Sequence, residues 1–181
     1  AMCERGGSTV MHAAQRRDAL LELLRTSRGP VSATALARRF SVSRQIIVGD
    51  IALLRAGGAD IASTPRGYVI PAQEDTGLTC TLVCRHTAAD LERELNLMVD
   101  NGCTVLDVVV EHPVYGQLSG QLQLSSRYDV AEFIRRVEKE QATPLSALTG
   151  GVHLHRLRCP DEAACRRVCQ ALDEAGFLVK E

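Results

Sequence analysis

Apolar residues in the first third of the chain recur at helical spacing in three short runs. Within residues 12–27, polar positions are interrupted by four leucines that form one side of a helix, namely Leu20, Leu21, Leu23 and Leu24. A glycine–proline pair follows and ends this first predicted helix. Ser32 is placed to cap a second helix over residues 33–39, and Ser43 is placed to cap a third that runs to Arg55.

The third predicted helix has two different sides. On a helical wheel, Ile47, Ile51 and Leu54 fall in one narrow stripe, which predicts the side that faces the core. The opposite side is small, and it begins with one guanidinium and one amide. A helix that enters the major groove of DNA needs small residues for close approach and forked polar side chains in its first turns. We therefore predict DNA contacts from four residues of this helix: Arg44, Gln45, Val48 and Gly49.

A hairpin is predicted directly after the third helix. Between residues 61 and 70, β-prone residues flank a Pro-Arg-Gly turn that has Arg66 at its tip. Three helices followed by such a hairpin predict a winged helix-turn-helix. Arg66 is expected to reach a DNA phosphate or an adjacent minor groove. Ser32 and Ser43 lie at helix starts, where free N–H groups favour phosphate, and are also expected to contact DNA. A winged helix can also serve as a protein-interaction module, and the sequence leaves that alternative open.

Strand and helix patterns alternate in the remainder of the chain, after a short polar connector at residues 71–77. They predict five strands, at residues 78–86, 103–112, 117–125, 149–158 and 177–179. They also predict three helices, at residues 87–101, 129–140 and 161–175. This order favours a compact α/β or α+β domain with a mixed sheet. We place the DNA-binding domain at residues 11–72 and the second domain at residues 77–181.

The chain has 181 residues and a formal net charge of −1, but its charges are divided unevenly. Residues 1–72 hold ten arginines and five acidic residues, whereas residues 73–181 hold eleven basic and seventeen acidic residues. A basic first third agrees with a nucleic-acid-binding module. The sequence has no apolar run of membrane-spanning length, no signal peptide and no C-x-x-C pair among its seven cysteines. These features predict a cytoplasmic protein without a membrane partner.

Four of the five histidines lie in the second predicted domain. His153 and His155 are two apart in a strand and share one face, a spacing that recurs in metal sites. His86 ends the first strand of this domain, and Glu94 lies two turns into the following helix. Such a set suits Zn, Ni, Fe or Mn and leaves room for an exogenous ligand. Cys84 shares the strand face of His86, where it is either a fifth ligand or a buried core thiol.

Four motifs of the chain resemble the niacin-responsive repressor family of the NiaR type, over about residues 11–181. Two of them match its winged-helix half: SRQIIVGDIALLR at 43–55 and TPRGY at 64–68. The other two match its regulatory half, the three-histidine (3H) domain: VEHPVYG at 110–116 and LTGGVHLH at 148–155. Few other families combine the second pair of motifs with a preceding winged helix, so the resemblance is specific.

The resemblance implies a bacterial repressor of genes for NAD-precursor salvage and synthesis, with nicotinic acid as co-repressor. It implies a divalent metal held by three histidines and a glutamate, which fall here on His86, Glu94, His153 and His155. It also implies that two further residues lie close to the effector, His112 and Tyr115. Gly49 departs from the family, in which we expect a longer polar residue at that position.

Three partners are expected on this basis. They are double-stranded operator DNA, nicotinic acid or a related pyridine carboxylate, and a second copy of the chain. Operators of such repressors are usually palindromes, and a palindrome requires a two-fold dimer. We expect the dimer to form mostly through the regulatory domain.

Two other functions stay open at the level of the sequence. One is a regulator that senses metal supply or oxidation directly, through the histidines and the cysteines. The other is a metal-dependent hydrolase or dioxygenase fused to a DNA-binding module. We disfavour the enzyme, because the sequence offers no evident general base beyond Glu111 and no cofactor-binding loop. The prediction is therefore a regulator without enzymatic activity.

Overall fold

The computed structural model of the protein describes residues 11–71 and 77–180. The chain divides into two compact units between Pro71 and Ala72. The polar connector predicted at residues 71–77 coincides largely with residues 72–76, which lie outside the described residues.

Three helices and a hairpin make up the first unit: α1 (Ala13–Thr26), α2 (Ala33–Phe40), α3 (Arg44–Ala56), β1 (Ala62–Thr64) and β2 (Gly67–Val69). Serine caps begin α2 and α3 as predicted, because the Ser32 Oγ accepts from the Ala35 N–H at 3.1 Å and the Ser43 Oγ accepts from the Ile46 N–H at 3.2 Å. Six buried side chains join the helices to the hairpin: Leu20, Leu24, Leu36, Ile47, Ile51 and Ile61.

A buried ion pair ties α1 to α3. Asp50 on α3 is 4% exposed, and its two carboxylate oxygens accept hydrogen bonds from the Arg16 guanidinium at 2.6 and 3.1 Å. Arg17 Nη1 lies 3.7 Å from the same carboxylate. Rotation of α3 about its axis would separate these charges in a buried place, where an unpaired charge is costly. The pair therefore helps to fix which side of α3 faces outward.

The hairpin is held against the start of α2 by a close backbone approach. Gly67 has a φ of +137°, and a Cβ at this position would lie 2.4 Å from the carbonyl oxygen of Val31. The adjacent Tyr68 exchanges two backbone hydrogen bonds with Val31, each 2.9 Å long. Arg55 at the end of α3 donates to the Ile61 carbonyl at 2.8 Å. The hairpin is thus anchored to the end of α3 and to the segment just before α2.

A four-stranded sheet and three helices form the second unit: β3 (Leu78–Arg85), α4 (Leu91–Asp100), β4 (Thr104–His112), β5 (Gly116–Leu124), α5 (Arg127–Lys139), β6 (Val152–Cys159) and α6 (Glu162–Glu174). Single 3-10 turns occupy Ala88–Asp90 and Leu145–Thr149. Apolar side chains of the strands and of α4, α5 and α6 share one buried core. The predicted α+β class is therefore confirmed.

The order of strands in the sheet is β3-β6-β4-β5, and every pairing between them is antiparallel. The order of strands and helices in the sequence predicted a mixed sheet. A helix joins β3 to β4, as in a parallel βαβ unit. In the structure these two strands do run in the same direction. However, β6 lies between them and opposes both, so no parallel neighbours form.

Two predicted strand boundaries differ from the structure. Residues 177–179 form only an isolated bridge between Leu178 and Cys84 beside β3, rather than a full strand. The strand predicted to begin at Thr149 begins at Val152, because a 3-10 turn precedes it and Gly150 ends that turn in the left-handed conformation.

We expect Asp50→Ala to lower the free energy of unfolding of the first unit by about 3 kcal/mol, because it leaves Arg16 without its buried partner. Equilibrium denaturation of the full chain, followed by circular dichroism, measures the loss. Glu22→Ala is the matched control, since its ion pair with Arg25 is exposed and contributes at most about 1 kcal/mol. Equal effects of the two substitutions would contradict the role assigned to Asp50.

Candidate functional site: a recognition helix and a buried three-histidine centre

The outward side of α3 carries the residues that were predicted to contact DNA. Ile47 and Ile51 are buried in the first unit, whereas the predicted contact residues of α3 are exposed: Arg44, Gln45, Val48 and Gly49. Nothing lies within 4 Å of the place that a Cβ on Gly49 would occupy. Packing within the chain therefore does not require glycine there, and the bare backbone leaves room for close approach by a partner.

The remaining predicted DNA contacts, Ser32, Ser43 and Arg66, are exposed as well. Arg66 lies in the turn between β1 and β2, where its backbone N–H donates to the Thr64 Oγ at 3.2 Å. Arg55 sets the position of this turn relative to α3, since its guanidinium also donates to the Ser63 Oγ at 2.7 Å. The arrangement is that of a winged helix-turn-helix, with all seven predicted residues accessible to a ligand.

A single buried carboxylate gathers three histidines in the second unit. Glu94 on α4 is 0% exposed, and its Oε1 lies 2.9 Å from His153 Nε2. Its Oε2 lies 2.6 Å from His86 Nε2 and 3.3 Å from His155 Nε2. Two of the histidines belong to β6, and the third directly follows β3. The four residues predicted as metal ligands therefore form one buried cluster, the three-histidine centre.

The three imidazoles are held in the same orientation by the backbone. In each ring, Nδ1 lies at hydrogen-bond distance from a carbonyl oxygen, so Nδ1 carries a proton and donates to that carbonyl, while Nε2 faces Glu94. The three contacts are His86 to Thr87 at 2.7 Å, His153 to Gly151 at 2.8 Å and His155 to Asp107 at 2.7 Å. Metal-binding histidines commonly donate their second nitrogen in this manner, which fixes the tautomer and ring orientation.

Charge within the centre is balanced between the carboxylate and the rings. Burial alone would raise the pKa of Glu94, but its close contacts with the His153, His155 and His86 rings outweigh burial and hold this pKa well below its usual range. Burial would likewise lower the pKa of His86, yet its contact with Glu94 raises it. A metal ion would displace a proton from such a ring, so metal binding is coupled to proton release.

The donor set fits a divalent transition metal. Three imidazole nitrogens and one carboxylate are ligands that suit Zn, Ni, Fe or Mn. His86 Nε2 is buried and has no partner with hydrogen-bond geometry among residues 11–71 and 77–180, despite its closeness to Glu94. Cys84 Sγ lies within 4.8 Å of ligand atoms of Glu94 and His153. Burial raises the pKa of the Cys84 thiol, which favours the protonated form over a fifth ligand.

Both halves of the chain match known families. Residues 16–69 match a helix-turn-helix domain, and residues 79–181 match the 3H domain. The chain is 45% identical over 171 residues to the transcription repressor NadR of Bacillus subtilis, with 93% of this chain and 95% of the relative covered. It is 41% identical over 167 residues to the probable transcription repressor NiaR of Thermotoga maritima, with 92% and 95% covered. The chain belongs to the NiaR-type family of 3H-domain transcription repressors.

Family membership confirms several predictions at once. A helix-turn-helix domain comes before a 3H domain, and the relatives are named as transcription repressors rather than as enzymes. Among the helices that the structure describes, none is both long and apolar enough to cross a membrane.

One glycine allows the histidine centre of this repressor to assemble. Gly151 has a φ of +93°, and a Cβ at this position would lie 2.4 Å from the carbonyl oxygen of His86. Its own carbonyl accepts the hydrogen bond from His153. The close approach brings the end of β3 to the start of β6, and the His86 and His153 rings stand 4.8 Å apart. The sequence contained this motif, but nothing in it assigned the glycine a role.

An open cavity of about 420 Å³ adjoins the centre at His86. Its other lining residues include Arg85, Thr87, Ser146, Gly150 and Gly151. The volume lies within the range of small-molecule sites, which is about 300–1,000 Å³. Sequence reasoning did not single out Arg85 or Ser146. Arg85 directly precedes the predicted ligand His86, but Arg93 and Arg156 also adjoin predicted ligands, so the sequence did not distinguish Arg85, and Ser146 lies sixty residues from His86.

His112 and Tyr115 lie together at the turn between β4 and β5. His112 Nδ1 accepts hydrogen bonds from the Val114 and Tyr115 N–H groups, each 3.2 Å long, and the two rings are 5.0 Å apart. Neither residue is among those that line the cavity beside His86. Their predicted contact with the effector stays a prediction, and the observed contacts give His112 a role in shaping the turn.

We expect Gly151→Ala to lower the midpoint of thermal unfolding and to weaken metal binding at least about tenfold, because the new Cβ forces β6 away from His86. Gly150→Ala is the matched control. Gly150 also has a positive φ, +62°, but nothing lies within 4 Å of its Cβ position, so only a backbone cost of about 1 kcal/mol applies. Thermal denaturation and metal content after dialysis measure both effects. If Gly150→Ala loses as much metal as Gly151→Ala, the close approach of residue 151 to His86 is not the cause of the loss.

Substitution of the exposed arginines tests the DNA-contacting surface. We expect Arg44→Ala to weaken binding about tenfold for a duplex selected by the protein from a random pool. Arg66→Ala should lower the slope of log affinity against log salt by about one, as for a lost phosphate contact. Fluorescence anisotropy at several salt concentrations measures both. Arg135→Ala, on α5 of the second unit, is the control that should change neither quantity.

Proposed function

We propose that this repressor binds operator DNA in response to nicotinic acid or a related pyridine carboxylate and thereby controls genes for NAD-precursor synthesis and salvage. In this proposal a divalent transition metal is held by His86, Glu94, His153 and His155. The observation that carries the proposal is the convergence of three oriented imidazoles and one buried carboxylate directly beside an open cavity. The organic ligand and the metal would then occupy adjoining places.

The cavity offers complementary groups for a small aromatic acid. Arg85 supplies a guanidinium, which pairs with a carboxylate through two parallel hydrogen bonds. Thr87 and Ser146 supply hydroxyl groups, which either donate or accept. Gly150 and Gly151 add no side chains, so an aromatic ring has space beside the backbone. Nicotinic acid carries a carboxylate and a pyridine nitrogen, and this lining provides partners for both.

The position of the cavity indicates how a ligand would act on the protein. The cavity lies between the end of β3, at Arg85 and His86, and the segment that leads into β6, at Ser146 and Gly151. A bound ligand would hold these two segments together. It would raise DNA affinity only by as much as it prefers the DNA-competent state of the repressor. The metal, when bound, supplies a Lewis-acidic position next to this ligand.

We propose further that the repressor acts as a cytoplasmic homodimer, because palindromic operators require two-fold symmetry. Val83, Leu154 and Val109 lie side by side across β3, β6 and β4, and each is half-buried in the single chain. A second copy that covers this apolar strip supports a dimer built through the 3H domain. Sedimentation velocity measures the oligomeric mass directly.

Calorimetric titration of nicotinic acid into the full chain tests the proposal. The titration is performed with protein as purified, after chelation, and after a divalent metal is restored. We expect one ligand per chain in the metal-loaded states and at least tenfold weaker binding after chelation. Arg85→Ala should keep the metal but lose nicotinic acid, and nicotinamide, which lacks the carboxylate, should bind more weakly.

The control for the metal site is a matched pair of histidine substitutions. His153→Ala removes a buried ligand, whereas His12→Ala removes an exposed histidine just before α1. Only the first should abolish metal-dependent binding. Nicotinic acid binding that is unchanged in His153→Ala would overturn the metal-linked site. DNA affinity that follows metal alone, with no effect of any pyridine, would instead establish a direct metal sensor.

A further inference from the structure

Three cysteine sulfurs converge at a second place in the 3H domain. Cys80 lies on β3, and Cys165 and Cys169 lie one turn apart on the same side of α6. The three Sγ atoms all lie within 4.8 Å of one another. Because α6 packs against β3, residues about 85 positions apart in the sequence are brought into one cluster, the thiol triad.

The separation of the sulfurs is compatible with a shared metal ion. Zinc–sulfur bonds are about 2.3 Å long, so the sulfurs of a tetrahedral site stand about 3.8 Å apart. The triad therefore needs only small side-chain rotations to reach this geometry. All three residues are partly exposed, which leaves a fourth position open to water or another ligand.

The triad differs from the other cysteines of this domain. Cys84, Cys103 and Cys159 are fully buried in the core, where a thiol acts as a small apolar side chain. Cys103 and Cys159 form a close pair, with their sulfurs 3.2 Å apart. The triad instead lies at the rim of this core, where an ion can enter from solvent. Burial and the neighbouring thiols raise the pKa of Cys80 to about 12, so an arriving ion must displace protons.

We propose that Cys80, Cys165 and Cys169 form a binding site for a thiophilic metal ion of the zinc, cadmium or copper(I) class, separate from the three-histidine centre. Thiolates select such ions over the harder metals that carboxylates prefer. Cys80 lies six residues before His86, so the triad and the three-histidine centre share no ligand. The inference rests on the triad alone and stands whether or not nicotinic acid is the effector.

A metal ion in the triad would join α6 to β3. The helix otherwise contacts the sheet through apolar side chains such as Val168 and Leu172. Because the ion binds the folded state and these ligands are separated in the unfolded chain, it would stabilise the domain according to its concentration and affinity. Thiol oxidation or loss of the ion would remove that contribution without altering the histidine ligands.

Cadmium titration of the reduced, metal-free full chain tests the site. Thiolate-to-cadmium charge-transfer absorbance in the ultraviolet reports sulfur ligands only, so cadmium in the three-histidine centre does not add to it. We expect one ion with an absorbance that corresponds to three thiolates. Serine substitution of any one triad member should weaken this binding at least about tenfold. The three variants are Cys80→Ser, Cys165→Ser and Cys169→Ser.

Two cysteine substitutions serve as controls. Cys84→Ser tests the thiol beside the three-histidine centre, and Cys3→Ser tests a cysteine outside the described residues. Both should keep the full charge-transfer band. A band that is lost in Cys84→Ser and kept in the triad variants would place the sulfur ligand elsewhere and overturn the proposal, and so would the absence of any band.

Because a substituted chain can misfold, a second measurement uses the unsubstituted chain. Alkylation with iodoacetamide, followed by peptide mass spectrometry, reports the accessibility of each thiol with and without cadmium. We expect Cys80, Cys165 and Cys169 to become protected together, at one equivalent of ion beyond that taken by the three-histidine centre. Protection of other cysteines, or of one triad member by itself, would contradict a shared site.

Discussion

The buried carboxylate of Glu94 is the constraint around which the second unit is organised. An ionised group with no solvent exposure is costly unless other groups satisfy its charge and its hydrogen bonds. Here three imidazoles do so, from the end of β3 and from β6. The carboxylate thereby ties α4 to two strands, and each histidine is braced in turn by a carbonyl. The four residues proposed as metal ligands are thus also part of the buried interior of the second unit.

Backbone features determine whether Glu94 and the three histidines can come together. Gly151 permits β6 to begin against the His86 carbonyl, which no residue with a side chain could do at this φ without displacement. A bulge in β4 between Val105 and Asp107 changes the register where the Asp107 carbonyl meets His155. The cavity beside His86 follows from the same approach of strands. The cavity and the three-histidine centre therefore share one segment of the backbone, at Gly151 and His86.

In the first unit, packing holds one side of α3 toward solvent. Hydrophobic burial of Ile47 and Ile51 chooses the inward side of α3, and the Asp50–Arg16 pair reinforces it. The small outward side is then available to DNA. These contacts are local to the unit, so none of them depends on residues of the 3H domain.

Periodicity and end signals in the sequence determined much of this protein: the three helices and wing, both serine caps, and six of the seven main elements of the second unit to within three residues. Strand spacing and the family resemblance also named the four residues that the structure brings together in the histidine centre. Helical and strand periods record which side of each element is apolar, so they can be read locally. Only the tertiary structure decided that β6 lies between β3 and β4, that Gly151 meets His86, and that Cys80 meets Cys165 and Cys169. Those contacts join residues that are distant in the chain, and no local pattern records which distant partner an element packs against.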